Sequence, residues 1–337
     1  MQRILVTGGA GFIGSNFIRM VLSEHPECLV VNLDKLTYAG NLENLAEFAG
    51  HDHHKFVHGD ICDGAIVGRL IDEYAIEAII NFAAESHVDR SITGPKIFID
   101  TNVAGTLTLL EAARDKKIER FVQVSTDEVY GSLGPEGKFT EQTPLSPNSP
   151  YSASKASADH LVAAFGHTWD VPYNITRCSN NYGAYQFPEK LIPLMINNAL
   201  NDKELPVYGD GMQVRDWLYV YDHCAAIWSV LEKAPAGQVY NIGGCNEKAN
   251  IEVVKVILGL LGKPETLIRH VTDRLGHDRR YAIDAGKIMS QLGWKPSVTF
   301  EEGLARTVEW YLSNAKWLAN VVSGDYQKYY ETMYGGR

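Results

Sequence analysis

The sequence predicts an α/β protein, a doubly wound parallel sheet joined to a smaller mixed α/β C-terminal lobe. Three observations carry this reading. Short apolar runs alternate with stretches of helical period through the first half of the 337 residues, the runs are continuous rather than alternating, and a glycine-rich turn follows the first run. Candidate strands lie at 3–7, 29–33, 55–58, 78–82, 121–125 and 173–178. Continuous apolar runs are what strands covered by helices on both faces require. The helical stretches are 13–23, 65–74, 101–116 and 152–168; each can serve as the crossover that parallel strands need. After about Asn180 the elements shorten, punctuated by Pro188, Pro193, Pro206, Gly209, Gly211, Gly243 and Gly244. We therefore expect a first domain over 1–180 and a second lobe over 181–337, with a soft boundary that the chain is free to cross more than once.

Composition narrows the function. Hydrophobic residues at 45% and charged residues at 21% are ordinary for a globular chain. A net charge of −10, without a basic cluster, repels a phosphate backbone, so nucleic acid is not an expected partner. The cysteines, Cys28, Cys62, Cys178, Cys224 and Cys245, are odd in number and widely spaced, with no C-x-x-C pair. They suit a reducing compartment. His87, His223 and His277 lack the spacing of metal ligands, and no metal is expected. No leader precedes the first strand and no window has the apolar length to cross a bilayer, so the expected location is the cytoplasm, with no membrane partner.

The turn Thr7-Gly8-Gly9-Ala10-Gly11-Phe12-Ile13-Gly14 joins the first strand to the first helix, where a dinucleotide fingerprint has to lie. Two glycine readings fit. Gly9, Gly11 and Gly14 match G-x-G-x-x-G, and Gly8, Gly11 and Gly14 match G-x-x-G-x-x-G. Either way the helix N-terminus faces a pyrophosphate. Asp34 ends the second strand, where a carboxylate accepts hydrogen bonds from ribose hydroxyls and repels a 2′-phosphate, so NAD is expected rather than NADP. Lys35, a cation beside it, weakens that preference. Asp60-Ile61 after the third strand and Phe82-Ala83-Ala84 after the fourth are expected beside the cofactor; a solvated loop acid and plain strand-end packing are the competing readings.

Tyr151 and Lys155 stand four residues apart, hence on one face of a helix. A cation beside the phenol, together with the positively charged nicotinamide of NAD⁺, is expected to lower its proton affinity, so that it can take a proton from a sugar hydroxyl while hydride leaves the same carbon. The fifth strand ends in Ser125-Thr126-Asp127-Glu128-Val129-Tyr130-Gly131, at the carboxyl edge where ligands of open α/β sheets bind. Trp217, Trp294, Trp310 and Trp317 read as packing residues.

These motifs, with Asp34-Lys35-Leu36-Thr37-Tyr38-Ala39-Gly40-Asn41, Ala84-Glu85-Ser86-His87-Val88-Asp89-Arg90-Ser91 and Gly276-His277-Asp278-Arg279-Arg280-Tyr281, resemble the dTDP-glucose 4,6-dehydratases of the extended short-chain dehydrogenase/reductase family. The likeness runs along nearly the whole chain. It implies a Rossmann-type fold, NAD as cofactor, a dTDP-glucose substrate, a homodimer formed through the helices at 101–116 and 152–168, and a place in deoxysugar biosynthesis. It also implies Thr126, Asp127, Glu128, Tyr151 and Lys155 as the catalytic group, with Asp127 the acid toward the C6 oxygen and Glu128 the base toward C5. A 4-epimerase needs no such additional acid and base, whereas a dehydratase does.

On the cofactor side the resemblance implies Gly8, Gly11, Phe12, Ile13, Gly14, Asp34, Lys35, Thr37, Asp60, Ile61, Phe82, Ala83, Ala84, Ser86, Thr101 and Asn181 beside Tyr151 and Lys155. Toward the substrate it implies Ser86, Thr126, Asn180, Lys190, Leu191, Pro206, Tyr208, Arg215, Asn250, His277, Asp278, Arg279 and Tyr281. Arg215 and Arg279 suit a diphosphate, and an interlobe salt bridge is the alternative for each. Three functions compete with the first: a 4-epimerase, a dehydratase of a UDP, GDP or CDP sugar, and a non-catalytic NAD or nucleotide-sugar sensor.

Overall fold

Successive residues of a strand point to opposite faces, so a strand covered on both sides needs apolar residues throughout. The computed structural model, which describes residues 1–273 and 276–322, shows this arrangement. The chain lays down β1 (Arg3–Thr7), α1 (Phe12–Glu24), β2 (Leu29–Asp34), β3 (His54–His58), α2 (Gly64–Tyr74), β4 (Ala78–Asn81) and the short helices α3 (Val88–Thr93) and α4 (Lys96–Phe98). A π-helical stretch, Ile99–Gly105, runs into α5 (Thr106–Asp115), followed by β5 (Arg120–Thr126), α6 (Pro150–Trp169) and β6 (Tyr173–Cys178). Beyond these come β7 (Asn180–Tyr182), α7 (Leu191–Leu200), β8 (Leu205–Tyr208), β9 (Val214–Tyr219), α8 (Val220–Lys233), β10 (Gln238–Ile242) and β11 (Glu247–Ala249). The last elements are α9 (Asn250–Leu261), β12 (Ile268–Val271), α10 (Gly286–Leu292), α11 (Phe300–Ser313) and α12 (Ala315–Val321).

Seven parallel strands form the main sheet in the order β10-β6-β5-β4-β1-β2-β3. Ile4 and Val6 of β1 enter one core layer with Phe17 of α1 and Ile227 of α8, while Leu5 enters the other with Leu70 of α2 and Leu110 of α5. Growth of the sheet reverses between β3 and β4, which opens a crevice at the carboxyl ends of β1 and β4.

The seventh strand comes from beyond residue 180. β10 pairs with β6 at the sheet edge, and α8 packs on α1 through Trp228, whose ring lies 6.3 Å from Phe17. The second lobe holds a mixed three-stranded sheet, β11-β9-β7, and the parallel pair β12-β8. Its own core gathers Ile196, Trp217, Val254, Phe300, Tyr311 and Trp317. Trp294 packs instead in the first core, and Trp310 lies against the second. Among the described residues no helix is long and apolar enough to cross a membrane.

The lobes meet where β10 passes into β11. Gly244 in that turn donates its N–H to Asp216 Oδ2 at 3.0 Å, and a Cβ there would stand 1.9 Å from the Trp217 carbonyl oxygen. Backbone cannot step aside cheaply. Gly244→Ala is therefore expected to cost about 1–3 kcal/mol, read as a lowered thermal midpoint; an unchanged midpoint would show that the turn yields.

Candidate active site

The crevice begins with the glycine turn. Gly8 has φ +70, and a Cβ on it would lie 2.7 Å from the Ala83 backbone; one on Gly14 would lie 2.3 Å from the Gly8 carbonyl oxygen. Gly9 turns away, since its Cβ would strike the Asn32 side chain at 2.3 Å. Gly8, Gly11 and Gly14 thus line the cleft and Gly9 does not, which selects G-x-x-G-x-x-G of the two spacings. Gly11 caps α1 without a side-chain hydrogen bond, and Gly11, Phe12, Ile13 and Gly14 open on the cleft. An uncapped helix N-terminus behind glycines that keep the backbone bare fits a pyrophosphate.

Asp34 is buried at the end of β2. Its Oδ2 accepts from Ala10 N–H and its Oδ1 from Leu36 N–H, both at 2.8 Å. Burial raises the carboxyl above its ordinary value, and the two N–H groups oppose that. Lys35 is held by Asp60 at 2.6 Å, a bond that raises its own pKa. Its charge is engaged with a carboxylate rather than offered to a 2′-phosphate. Each residue expected on the cofactor side lines this one cleft, together with Thr126, Asp127, Glu128, Asn180 and Lys190.

β5 ends at Thr126, whose hydroxyl accepts the Glu128 N–H at 3.2 Å and caps a single 3₁₀ turn, Asp127–Tyr130. Asp127, 2% exposed, receives the Thr126 hydroxyl at 3.4 Å on Oδ1, and its Oδ2 has no hydrogen-bond partner among the described residues. Burial first, then Glu128 and Asp216, push its carboxyl well above the ordinary range, against Arg215. A carboxyl so placed binds its proton more tightly than one in water. Exclusion of water outweighs the neighbouring acids as the cause.

Opposite stands α6, started by Ser149, whose Oγ accepts the Ser152 N–H at 3.1 Å, and by Pro150 in the first turn. That start places Tyr151 and Lys155 on the cleft side, both buried, with Lys155 Nζ donating to the Val124 carbonyl at 2.7 Å. The depression expected from Lys155 and the nicotinamide together is not produced by the chain alone. Burial and then Glu128 raise Tyr151 well above its ordinary value, while burial lowers Lys155. Where water is excluded, each charged form loses more than its neighbour returns.

Toward the second lobe, Lys190 caps α7 ahead of Leu191 and donates Nζ to the Ser86 carbonyl at 2.7 Å. Arg215 is buried, donates to the carbonyls of Val214 (2.8 Å) and Asp278 (2.9 Å), and lies 4.4 Å over the Tyr281 ring. The Tyr281 hydroxyl bonds Asp278. Pro206 and Tyr208 belong to β8, where the Tyr208 hydroxyl meets Asp89 at 3.0 Å and its ring packs edge-on to His277 at 6.0 Å. His277 also contacts Asp273 at 2.5 Å. Asn250 begins α9, its N–H donating to the Gln213 carbonyl at 3.0 Å. Arg279 stands apart, bidentate on exposed Asp210 at 2.8 and 2.9 Å.

Sequence reasoning passed over Glu85, Cys178, Gln186 and Glu189, which also line the cleft. Glu189 accepts the Tyr38 hydroxyl at 3.1 Å, with Arg90 3.8 Å over the Tyr38 ring. The available signal was its place beside Lys190. It also passed over His223, which contacts Asn181 Oδ1 through Nδ1 at 2.9 Å; burial lowers that imidazole to about 3 and keeps it neutral. No group of three His, Cys, Asp or Glu side chains among the described residues is placed to hold a metal ion.

A dinucleotide cradle that ends at a buried Tyr/Lys pair marks an oxidoreductase-type centre of the short-chain dehydrogenase/reductase class, here with two further acids within reach. Residues 5–307 match the family model described as GDP-mannose 4,6 dehydratase, and the chain belongs to that family. A dTDP-glucose 4,6-dehydratase of Xanthomonas campestris pv. campestris (strain B100) is 59% identical, over 97% of this chain and 98% of that one. The Bacillus anthracis str. Ames dTDP-glucose 4,6-dehydratase, crystallised in complex with NAD, superposes with a TM-score of 0.90 at 54% identity, covering 95% of this chain and 100% of that one. The Streptomyces venezuelae dTDP-glucose 4,6-dehydratase with NAD and TYD bound gives 0.92 at 50% identity, with the same coverage.

Two outcomes follow from the two buried carboxyls. With Asp34 at the ribose end and Lys35 paired, NAD is expected to bind more tightly than NADP; a titration giving equal affinities would remove Asp34 from that role. Asp127 binds its proton more tightly folded than unfolded, so stability falls as pH rises from about 3.8 toward the raised value. Asp127→Asn should therefore gain stability over the parent progressively above about pH 4. Thermal midpoints of both proteins across pH test this, and a gap independent of pH would contradict it.

Proposed function

We propose that this chain is a dTDP-glucose 4,6-dehydratase, an NAD-dependent hydro-lyase that converts dTDP-glucose to dTDP-4-keto-6-deoxyglucose and water. The observation that carries it is the buried Asp127, its carboxyl raised above the ordinary range, beside Glu128 on a turn that lines the same cleft as Tyr151. Oxidation at C4 followed by return of hydride to C4 needs only Tyr151 and Lys155; loss of water across C5 and C6 needs a base and an acid more. The names of the relatives support the thymidine nucleotide and the glucose.

The Gly8–Gly14 turn and the α1 N-terminus would hold the pyrophosphate of NAD, Asp34 the adenosine ribose, and Lys155 the nicotinamide ribose. Bound NAD supplies the hydride acceptor for C4 and the hydride donor for C6. Tyr151 takes the C4 hydroxyl proton, with Thr126 hydrogen-bonded to its phenol. The 4-ketone acidifies the C5 hydrogen, and Glu128 removes it as a proton. Asp127 gives its own proton to the departing C6 hydroxyl, which leaves as water. Glu128 then returns a proton to C5. Ser86 and Thr126 would contact the hexose, Asn180 and Arg215 the diphosphate or its surroundings, and Lys190, Leu191, Pro206, Tyr208, Asn250 and the segment from His277 to Tyr281 the nucleotide pocket.

In this reading residues 1–180 carry the cofactor and the chemistry, and residues 181–337 mainly the nucleotide sugar. The described part of that second region ends at residue 322. We read the enzyme as a cytoplasmic homodimer paired through α5 and α6; the exposed Ile97 and Ile99 ahead of α5 and Trp169 at the end of α6 support this.

The test is incubation with a panel of nucleotide glucoses without added NAD, followed by mass analysis. Loss of water from dTDP-glucose ahead of the UDP, GDP and CDP sugars is expected, and none from dTDP-glucose would overturn the proposal. In D₂O, Glu128→Gln should still form bound NADH but exchange C5 hydrogen about 10²–10⁴-fold more slowly. Asp127→Asn should exchange C5 and stall before loss of water. Parental water loss in both would make the acid pair structural.

A further inference from the structure

A single 3₁₀ turn has almost no stiffness of its own, so the aim of Asp127 and Glu128 depends on what anchors its two ends. At the front, Thr126 caps it. At the rear stand Tyr130 and Gly131, and Gly131 has φ +89 with the Ser146 carbonyl oxygen 2.4 Å from where a Cβ would be. The Val129 carbonyl accepts the Ser146 N–H at 3.0 Å. Tyr130 is 3% exposed, its ring stacked on Phe139 with centroids 5.0 Å apart. Its hydroxyl donates to Asn241 Oδ1 at 2.7 Å and accepts from Arg177 Nη1 at 3.0 Å. Asn241 is held in turn, its Nδ2 donating to the Phe139 carbonyl at 3.1 Å.

Arg177 reaches the other half of the site as well. Its Nε donates to Asp159 Oδ2 at 2.9 Å, an ion pair with side chains only 7% and 1% exposed. Asp159 lies on α6, four residues after Lys155, and its charge supports the Lys155 ammonium against burial. One guanidinium therefore ties the turn that carries the two acids to the helix that carries Tyr151 and Lys155.

We infer that Tyr130 is a positioning residue for elimination: its hydroxyl, fixed between Asn241 and Arg177, sets where Asp127 and Glu128 stand relative to Tyr151. The inference rests on the dehydratase reading. Burial pushes the phenol up to about 12, so it remains a donor at working pH. A buried aromatic with no further task would need its ring and not its hydroxyl. Proton transfers at C5 and C6 need acid and base within hydrogen-bond reach, and a misplacement near 1 Å costs about a hundredfold. Oxidation at C4 runs on Tyr151, which this turn does not carry.

Tyr130→Phe keeps the ring on Phe139 and leaves the pair of Arg177 with Asp159 in place. The NAD-loaded variant is mixed rapidly with dTDP-glucose, following bound NADH by absorbance and water loss by mass in the same samples. Oxidation at the parental rate with water loss slowed about tenfold or more is expected, at nearly parental KM, so that a larger share of enzyme holds NADH in the steady state. Asn241→Ala, which withdraws the acceptor of the same hydroxyl, should repeat that signature, and the double variant should add little to either. Parental kcat and parental NADH in Tyr130→Phe would overturn the inference, as would an equal slowing of oxidation and water loss, the mark of general loosening. A parent enzyme that releases no water from dTDP-glucose would overturn the dehydratase reading instead.

Discussion

The Asp127 carboxyl is held above its ordinary range chiefly by its burial. A carboxyl in bulk water gives up its proton far below neutral pH, and desolvation reverses that by penalising the anion. The same exclusion acts on every ionisable group around it. Tyr151 is raised, Lys155 lowered and Glu189 raised, each chiefly by burial. Burial thus shifts each of these groups toward its neutral form. Tyr151 in particular obtains from its neighbours no net pull toward the phenolate.

Such burial needs two lobes. The main sheet brings Asp127, Glu128, Tyr151 and Lys155 to the carboxyl ends of its strands, where an open sheet alone would leave them wet. β9 of the second lobe supplies Arg215 and Asp216, whose charges act on Asp127 in opposite senses. Asp216 is itself held by the Gly244 and Asn246 N–H groups at 3.0 and 2.6 Å. The return of α8 and β10 to the main sheet binds that lobe to the first through packing as well as loops.

Much of this was legible along the chain because it is local. β1 and β6 lie where their apolar runs placed them, and β2 ends on Asp34 as the fingerprint spacing required. Tyr151 and Lys155 share a helix face through spacing alone. β10 was not legible: its five residues sit among glycines and prolines, and what makes them a strand is the free edge of β6, formed some sixty residues earlier. The helix expected at 101–116 begins instead as a π-helical stretch, Ile99–Gly105, in which Asn102 bonds both the Glu85 backbone and Ser154. Those partners are remote in sequence and carry no local signature.

By itself the sequence determined the class of sheet, the cofactor turn and the residue types of the acid–base set, because each follows from spacing within one strand, turn or helix. The tertiary structure decided which glycines face the cleft, that Lys35 is engaged by Asp60, and that Arg279 is paired with Asp210 while the charge of Arg215 acts on Asp127. It also raised the Asp127 carboxyl above its ordinary range. Those outcomes depend on desolvation and on charges brought together from distant parts of the chain, and neither quantity exists until the chain has folded.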